Sequence, residues 1–186
     1  MKTFLLVLLV ILSAASVVLA QTQSELTYKE IPNFHKVNDY IYRGGEPKQG
    51  GFQRLKELGV TTVVNLRDDD ARARAEAEEA KALGLRYFNI PLSNFHRPSD
   101  KTVEDVLKIL ESPDHQAIFV HCKRGSDRTG LIIAIYRMMH DGWNTERAKA
   151  EAKQFGLGFW QIEMKDYIND YYERHVQRNN TASPQM

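Results

Sequence analysis

The chain has 186 residues, of which 42% are hydrophobic, and its 25 basic and 24 acidic side chains leave a net charge of +1. This length suits one domain with a packed core. The balanced charge, with no basic stripe or tail, argues against a nucleic-acid-binding protein. The single cysteine, Cys122, cannot form a disulfide within the chain, so its thiol is available for chemistry, an intermolecular bridge or packing.

The first twenty residues have the pattern of a secretory signal peptide. Lys2 gives a positive start, Phe4–Leu12 is apolar, and Val18 and Ala20 are the small residues before a cleavage point. The apolar stretch is short for a stable membrane span. We therefore predict a signal peptide at residues 1–20 and, once it is cleaved, a periplasmic or secreted protein with no stable membrane insertion. A leader at 21–38, a domain at 39–178 and a disordered tail at 179–186 complete the predicted organisation.

Short β-branched or aromatic runs alternate with helical patterns along the domain. Val60–Leu66 is β-branched, as a buried strand should be. Gly59 and Gly84 each follow a helical pattern and predict its end. In chain order the predicted elements are strand Tyr40–Tyr42, helix Gln49–Leu58, strand Val60–Leu66, helix Ala71–Leu83, strand Leu85–Ile90, helix Asp100–Leu110, strand Ala117–Val120 and helices Thr129–His140, Thr145–Phe155 and Phe159–His175.

This alternation predicts an α/β fold: a single domain with a central, mainly parallel sheet flanked by helices. In such sheets ligands bind at the carboxyl ends of the strands, in the strand-to-helix loops. The stretch HCKRGSDRTG, from His121 to Gly130, occupies one of these loops. It is therefore the predicted site.

The residues of this loop suit phosphate chemistry. A tight loop entering a helix directs backbone N–H groups towards an anion, and Gly125 removes the side chain that would crowd the turn. Arg128 provides a planar fork for two phosphate oxygens. Positive potential at the floor of the loop favours the thiolate of Cys122, which can attack phosphorus. The remaining members of the predicted substrate-binding set are Lys123, Arg124, Ser126, Asp127 and Thr129.

The stretch resembles the signature His-Cys-x-x-Gly-x-x-Arg-[Ser/Thr]-Gly of cysteine-dependent tyrosine and dual-specificity phosphatases. All fixed positions match, and Tyr42–Gly45 followed by Leu55–Arg67 resembles the opening of the atypical bacterial, plant and fungal group. The resemblance implies that Cys122 is the nucleophile and Arg128 the phosphate clamp. It further implies that Thr129 assists departure of the thiolate, that His121 lies behind the loop, and that no metal or cofactor is needed.

The general acid is less well defined by the sequence. Many relatives carry an aspartate before the cysteine, in a region that here reads Pro91–His96 and has no carboxylate. Asp100, which opens the next helix, is our predicted acid, with Asp127 and His96 as alternatives. Asp100 also suits a helix N-cap, and Asp127 suits an ion pair within the loop. Asp68, Asp69 and Asp70 are interpreted as the cap of the following helix rather than as a metal site.

Lys123 and Arg124 place positive charge at the rim, which favours phosphorylated partners with several phosphates, such as inositol phosphates, beside phosphotyrosine. Two other functions compete with a phosphatase. A phosphate-binding pseudo-phosphatase would keep the loop but lack a competent acid. A sulfur-transfer or redox protein would also place a cysteine in such a loop, although the chain has no second cysteine to resolve a disulfide. Nothing in the sequence indicates an oligomeric state.

Overall fold

A computed structural model describes residues 27–112 and 116–177 of the chain. The predicted signal peptide at 1–20 and the predicted tail at 179–186 lie outside the described residues. Within the described ranges there are five strands and six α-helices. They are β1 (His35–Lys36), β2 (Ile41–Gly45), α1 (Gly51–Glu57), β3 (Val60–Asn65), α2 (Ala71–Ala82), β4 (Arg86–Asn89), α3 (Asp100–Leu110), β5 (Ala117–Cys122), α4 (Asp127–Met139), α5 (Thr145–Gln154) and α6 (Ile162–Tyr172), which continues as a π-helical turn, Glu173–Gln177.

The strands form one sheet in the order β1-β2-β5-β3-β4. All neighbours run parallel except β1 and β2, which are antiparallel. The predicted α/β class and mainly parallel sheet are thus confirmed. The two-residue strand β1 was not predicted, because a two-residue run has no detectable alternation. Strand β5 lies between β2 and β3, so the loop that follows it is surrounded by the ends of both neighbours.

Two hydrophobic clusters cover the two faces of the sheet. Alternate residues of β5 divide between them: Ile118 and Val120 belong to the larger cluster with helices α3 to α6, and Phe119 belongs to the smaller one. Helix α4 is buried along nearly its whole length, as its apolar sequence predicts. Ile31 and Phe34, within the predicted leader, pack in the smaller cluster, so this part of the leader contributes to the core.

Helix starts follow local capping chemistry. Asp70 accepts a hydrogen bond from the backbone N–H of Ala73 at 2.9 Å, which confirms the predicted cap of α2. At α3 the cap is Ser99, which accepts from the N–H of Thr102, and Asp100 is the first helical residue. None of the helices in the described ranges is both long and apolar enough to cross a membrane.

Candidate active site

The loop between β5 and α4 places its cysteine at the end of the central strand. Cys122 is the last residue of β5 and is 3% exposed. Arg128 follows in the first turn of α4 and is also buried. Strand, tight loop and helix N-terminus therefore occur in the order that the sequence predicted. The thiol lies where the amide dipoles of the helix favour a negative charge.

The carbonyl groups of the loop are held from behind. The Asn33 side-chain amide donates to the Gly125 carbonyl at 3.1 Å and to the Arg124 carbonyl at 3.4 Å. Arg43 Nη2 also donates to the Gly125 carbonyl, at 2.8 Å. Because C=O and N–H point in opposite directions across a trans peptide, the N–H groups of Gly125 and Ser126 face the other side of the loop. This orientation fits the anion cradle predicted from the sequence.

Glycines allow the loop to lie directly on the end of β2. Gly125 has φ of +71°, and a Cβ there would lie 2.4 Å from the carbonyl carbon of Gly44. A Cβ at Gly45 would lie 3.2 Å from the Arg124 carbonyl carbon. Gly45 pairs with Cys122 in the sheet. The Gly44-Gly45 pair is thus explained by close contact between two backbones, which the sequence alone did not reveal.

Arg128 connects the ends of three strands. Its Nη1 donates to the carbonyls of Leu66, just after β3, at 3.3 Å and Leu92, after β4, at 3.4 Å. Within the described ranges, Arg128 Nε and the buried hydroxyl of Thr129 have no hydrogen-bond partner. Buried polar atoms normally find partners. A phosphate bound in the loop would supply an acceptor for Arg128 Nε.

Asp127 is occupied by structural contacts. Its carboxylate accepts from Arg124 Nη2 at 2.6 Å and from the backbone N–H of Gly158 at 2.9 Å. It is 3% exposed. These contacts agree with the interpretation of Asp127 as an ion-paired, loop-stabilising acceptor. They also tie the turn after α5 to the loop. Lys123 is exposed, and so is the ion-paired Arg124.

Asp100 is bound by residues from the C-terminal end of the domain. Its carboxylate accepts from the Tyr167 hydroxyl and from Arg174 Nη2, both at 2.8 Å, and His175 Nε2 lies at 3.4 Å. Burial would raise the pKa of Asp100, but these hydrogen bonds outweigh it and lower that pKa. A general acid must carry a proton, so these contacts oppose the role in this conformation. The assignment of Asp100 as the acid stays a prediction.

A carboxylate that the sequence analysis interpreted only as part of a helix cap lies beside Arg128. Asp68 Oδ2 is 4.0 Å from Arg128 Nη1, and its side chain is 81% exposed. Asp70 alone provides the cap of α2. The sequence contained a signal that Asp68 lies near Arg128. Asp68 follows the end of β3, and the carboxyl ends of parallel strands share one edge of the sheet. Asp68 is therefore a further candidate acid.

A buried polar pair lies behind the cysteine. His121 and Glu76 are both 0% exposed, and Nε2 of the imidazole lies 3.3 Å from Oε2 of the carboxylate. The same carboxylate oxygen accepts from the Asn65 side chain at 3.0 Å and from the Tyr87 hydroxyl at 3.2 Å. His121 thus lies behind the loop, as the resemblance implies. Glu76 was missed, although it shares one helix face with the buried Ala73 and Ala80.

The chain was compared with known proteins. A family model described as "DSP-PTPase phosphatase fused to NAD+ Kinase" matches residues 20–170. The dual specificity protein phosphatase TpbA of Pseudomonas aeruginosa is 31% identical over 127 residues, which are 68% of this chain and 56% of TpbA. The inositol diphosphatase DSP3 of Arabidopsis thaliana is 30% identical over 135 residues, which are 71% of this chain and 66% of that protein.

The fold agrees with these sequence matches. A crystal structure of P. aeruginosa TpbA in complex with pTyr superposes with a TM-score of 0.65 at 25% identity, covering 79% of this chain and 91% of that chain. The chain spans a little over half the length of the curated TpbA sequence. With a family match over most of its length and a Cys122-to-Arg128 loop between β5 and α4, the chain belongs to the DSP-PTPase family of atypical dual-specificity phosphatases.

Proposed function

We propose that this chain is a cysteine-dependent phosphatase that hydrolyses phosphomonoesters through a phosphocysteine intermediate. One observation carries the proposal. The buried thiol of Cys122 lies at the floor of a loop whose carbonyls are bound from behind, and the buried Nε of Arg128 has no acceptor among the described residues. This arrangement suits an ester phosphate, with its phosphorus facing the sulfur and its oxygens facing amides and guanidinium.

The reaction follows in two steps. In the first, the thiolate of Cys122 attacks phosphorus, the P–S bond forms, and the bond to the ester oxygen breaks as that oxygen takes a proton from an acid. In the second, water attacks phosphorus, loses a proton to a base, and the P–S bond breaks to release phosphate and thiolate. Arg128 and the loop amides stabilise the charge on the equatorial oxygens in both transition states. The hydroxyl of Thr129 stabilises the departing thiolate.

Two carboxyl groups are candidates for the proton donor. Asp100 is the acid predicted from the sequence, and it acts only if its contacts with Tyr167 and Arg174 open. Asp68 needs no such change, because it is exposed and close to Arg128. Replacing each by asparagine and comparing aryl phosphates of differing leaving-group pKa separates them. The variant that lacks the true acid should lose most activity on the substrate with the poorest leaving group.

The substrate class follows from the rim of the site. The exposed Lys123 adds positive charge, and Arg124 adds more where its ion pair with Asp127 opens. Such a rim favours substrates with several phosphates. TpbA has been solved with pTyr and DSP3 is named an inositol diphosphatase, so both a phosphotyrosine side chain and an inositol phosphate are supported by relatives.

An apolar edge is also available to a substrate. Phe95 and Trp160 are exposed and line one cavity of about 310 Å³ together with Asn94, Gln161, Ile162 and Glu163. The two segments that form it reach the catalytic loop through Leu92 and Gly158. Aromatic rings at such a place suit a phosphotyrosine side chain. This observation keeps the phosphoprotein alternative beside the inositol phosphate.

We further propose that the protein is exported, on the strength of the signal-peptide pattern in residues 1–20. A chain that begins at Gln21 when the N-terminus of the exported protein is sequenced supports this. Recovery of the full-length chain from the cytoplasm contradicts it.

The experiment that tests the phosphatase is phosphate release by the reduced protein in the presence of a chelator. The substrates are p-nitrophenyl phosphate, a phosphotyrosine peptide and a polyphosphorylated inositol, and Cys122→Ser is the matched control. Metal-independent release that disappears in the serine variant supports the mechanism. A folded, reduced protein that releases no phosphate but binds it would instead be a phosphate-binding pseudo-phosphatase.

A further inference from the structure

A buried arginine lies behind the catalytic loop. Arg43, on β2, is 1% exposed, and β2 is the parallel neighbour of β5. Two residues further along, Gly45 pairs with Cys122 at the same sheet end. The guanidinium reaches the loop directly, since Nη2 donates to the Gly125 carbonyl at 2.8 Å. Arg43 is thus placed on the side of the loop opposite to the substrate.

The positive charge of Arg43 has no ion-pair partner among the described residues. Among the described residues no carboxylate oxygen comes within 4.0 Å of its guanidinium, and the buried Nε and Nη1 have no acceptor. Its planar group lies 4.4 Å from the centre of the Phe155 ring. The charged groups that act on it are Glu151 on α5, Arg137 on α4 and the sulfur of Cys122 on β5. One hydrogen bond and one aromatic face therefore support a fully buried cation.

The guanidinium remains charged at neutral pH. Burial lowers the pKa of Arg43 to about 10, while the negative potentials of Glu151 and Cys122 act in the opposite direction. A buried cation without an ion-pair partner is unfavourable unless a nearby negative charge offsets it. In this region of the protein two negative charges belong to the proposed reaction: the Cys122 thiolate and the phosphoryl oxygens above it.

We propose that Arg43 is a positioning residue that supplies a fixed positive charge behind the catalytic loop, favouring the Cys122 thiolate and the binding of a phosphate dianion. The inference rests on the proposed function, because it assigns Arg43 to the same site. Low polarity around Arg43 lets its charge act across the loop with less screening than a surface charge. The hydrogen bond to Gly125 has a second effect, since it holds one loop carbonyl away from the bound anion.

A neighbouring residue separates the electrostatic effect from the geometric one. Asn33 donates to the same Gly125 carbonyl, at 3.1 Å, but carries no charge. Asn33 has φ of +52°, a conformation that glycine adopts freely. Asn33→Gly therefore removes a side-chain hydrogen bond to the loop without removing a charge or straining the backbone. Arg43→Met removes the charge and keeps an apolar stem, whereas Arg43→Lys keeps the charge and loses the planar fork.

The experiment measures the alkylation of Cys122 by iodoacetamide as a function of pH, with and without inorganic phosphate. The chain has one cysteine, so the reaction reports this thiol alone. In Arg43→Met we expect the midpoint of the pH profile to rise by about one unit. We also expect the phosphate concentration that half-protects the thiol to rise about tenfold, the factor equivalent to one pH unit. Arg43→Lys should stay within about threefold of the wild type for protection, and Asn33→Gly should keep the wild-type midpoint.

Each outcome decides the proposal. Equal shifts in Arg43→Met and Asn33→Gly would assign Arg43 a purely structural role, and no shift in Arg43→Met would remove it from the site. Where Arg43→Met does not fold, a folded Arg43→Lys variant with a midpoint one unit above the wild type overturns the proposal. A wild-type midpoint in that variant supports it. Neither the alkylation rate nor its protection by phosphate depends on turnover. A wild-type protein that hydrolyses no ester would therefore contradict the proposed function, and the test of Arg43 could still be interpreted.

Discussion

Replacing Gly125 by alanine tests how closely the loop between β5 and α4 lies against β2. Gly125 has φ of +71°, where an L-residue is disfavoured by about 1–2 kcal/mol. Its Cβ would also lie 2.4 Å from the carbonyl carbon and 2.5 Å from the carbonyl oxygen of Gly44, and 2.6 Å from the nitrogen of Gly45. Normal contacts between carbon atoms are about 3.5–4.0 Å, so the loop must move by roughly 1 Å.

The expected loss of stability is the sum of two parts. Left-handed strain contributes about 1 kcal/mol and the forced displacement about 2 kcal/mol, which gives about 3 kcal/mol in the free energy of unfolding. The clash is with backbone atoms, which cannot turn aside as a side chain can. A displacement of roughly 1 Å in the loop should also lower kcat/KM on p-nitrophenyl phosphate by about 100-fold.

Gly84→Ala is the matched control for this variant. Gly84 has φ of +74°, nearly the same backbone conformation, and a Cβ there would meet nothing within 4 Å. It should lose only the strain, about 1 kcal/mol, and keep full activity. The assays are equilibrium unfolding in urea and steady-state phosphate release. Equal unfolding free energies for the two variants, with Gly125→Ala fully active, would refute the close contact between loop and strand.

Four further predictions concern the positive rim, the stability that Asp100 contributes, the identity of the acid and the buried network around Glu76. Lys123→Ala and Arg124→Ala should raise KM for a polyphosphorylated inositol at least threefold more than for a singly phosphorylated peptide, by loss of rim charge; equal effects would exclude a polyanion role. Asp100→Asn should reduce stability at pH 7 by less than about 1 kcal/mol, since the pair is partly exposed. Because the pKa of Asp100 is lowered by folding, this contribution is present above its unfolded pKa and is lost as pH falls through the folded one, so wild type and variant should converge in acid. If Asp68 is the acid, Asp68→Asn and not Asp100→Asn should show the greater loss on poor leaving groups, and the reverse result would restore Asp100. Glu76→Ala removes a buried carboxylate that accepts from the Asn65 side chain and the Tyr87 hydroxyl and that lies 3.3 Å from His121 Nε2, and it should lower the unfolding free energy by about 2 kcal/mol in urea, whereas a loss below about 1 kcal/mol would contradict the buried network.

Prediction from the sequence succeeded where the determining contacts are local. The helix boundaries at Gly59 and Gly84 and the cap by Asp70 depend on residues within one turn of the helix end. The geometry of the loop from His121 to Gly130 is also local, because ten consecutive residues carry the strand end, the turn and the helix start. The order of elements and the mainly parallel sheet follow from alternation of strand and helix.

Other conclusions required the order of strands in space. Arg43 meets the Gly125 carbonyl, 82 positions later in the chain, because β2 lies beside β5. Asn33 meets the same carbonyl, 92 positions later, because the segment before β1 lies at the end of β2, where the Gly45 N–H donates to the Pro32 carbonyl at 2.6 Å. Asp68 approaches Arg128 because β3 lies on the other side of β5. No periodicity within the chain encodes these neighbours.

The sequence by itself determined the secondary structure apart from the short strand β1, the class of fold and the strand–loop–helix with Cys122 and Arg128, since these depend on short-range periodicity, caps and turn geometry. The tertiary structure alone decided which distant residues surround that loop. Asp100 illustrates the difference: its position before the cysteine indicated an acid, and only the packing of α6 revealed Tyr167 and Arg174 on its carboxylate. The charge and hydrogen bonds around a side chain come from residues far away in the chain. The chemical state of a group in the site is therefore a property of the packed domain rather than of its local sequence.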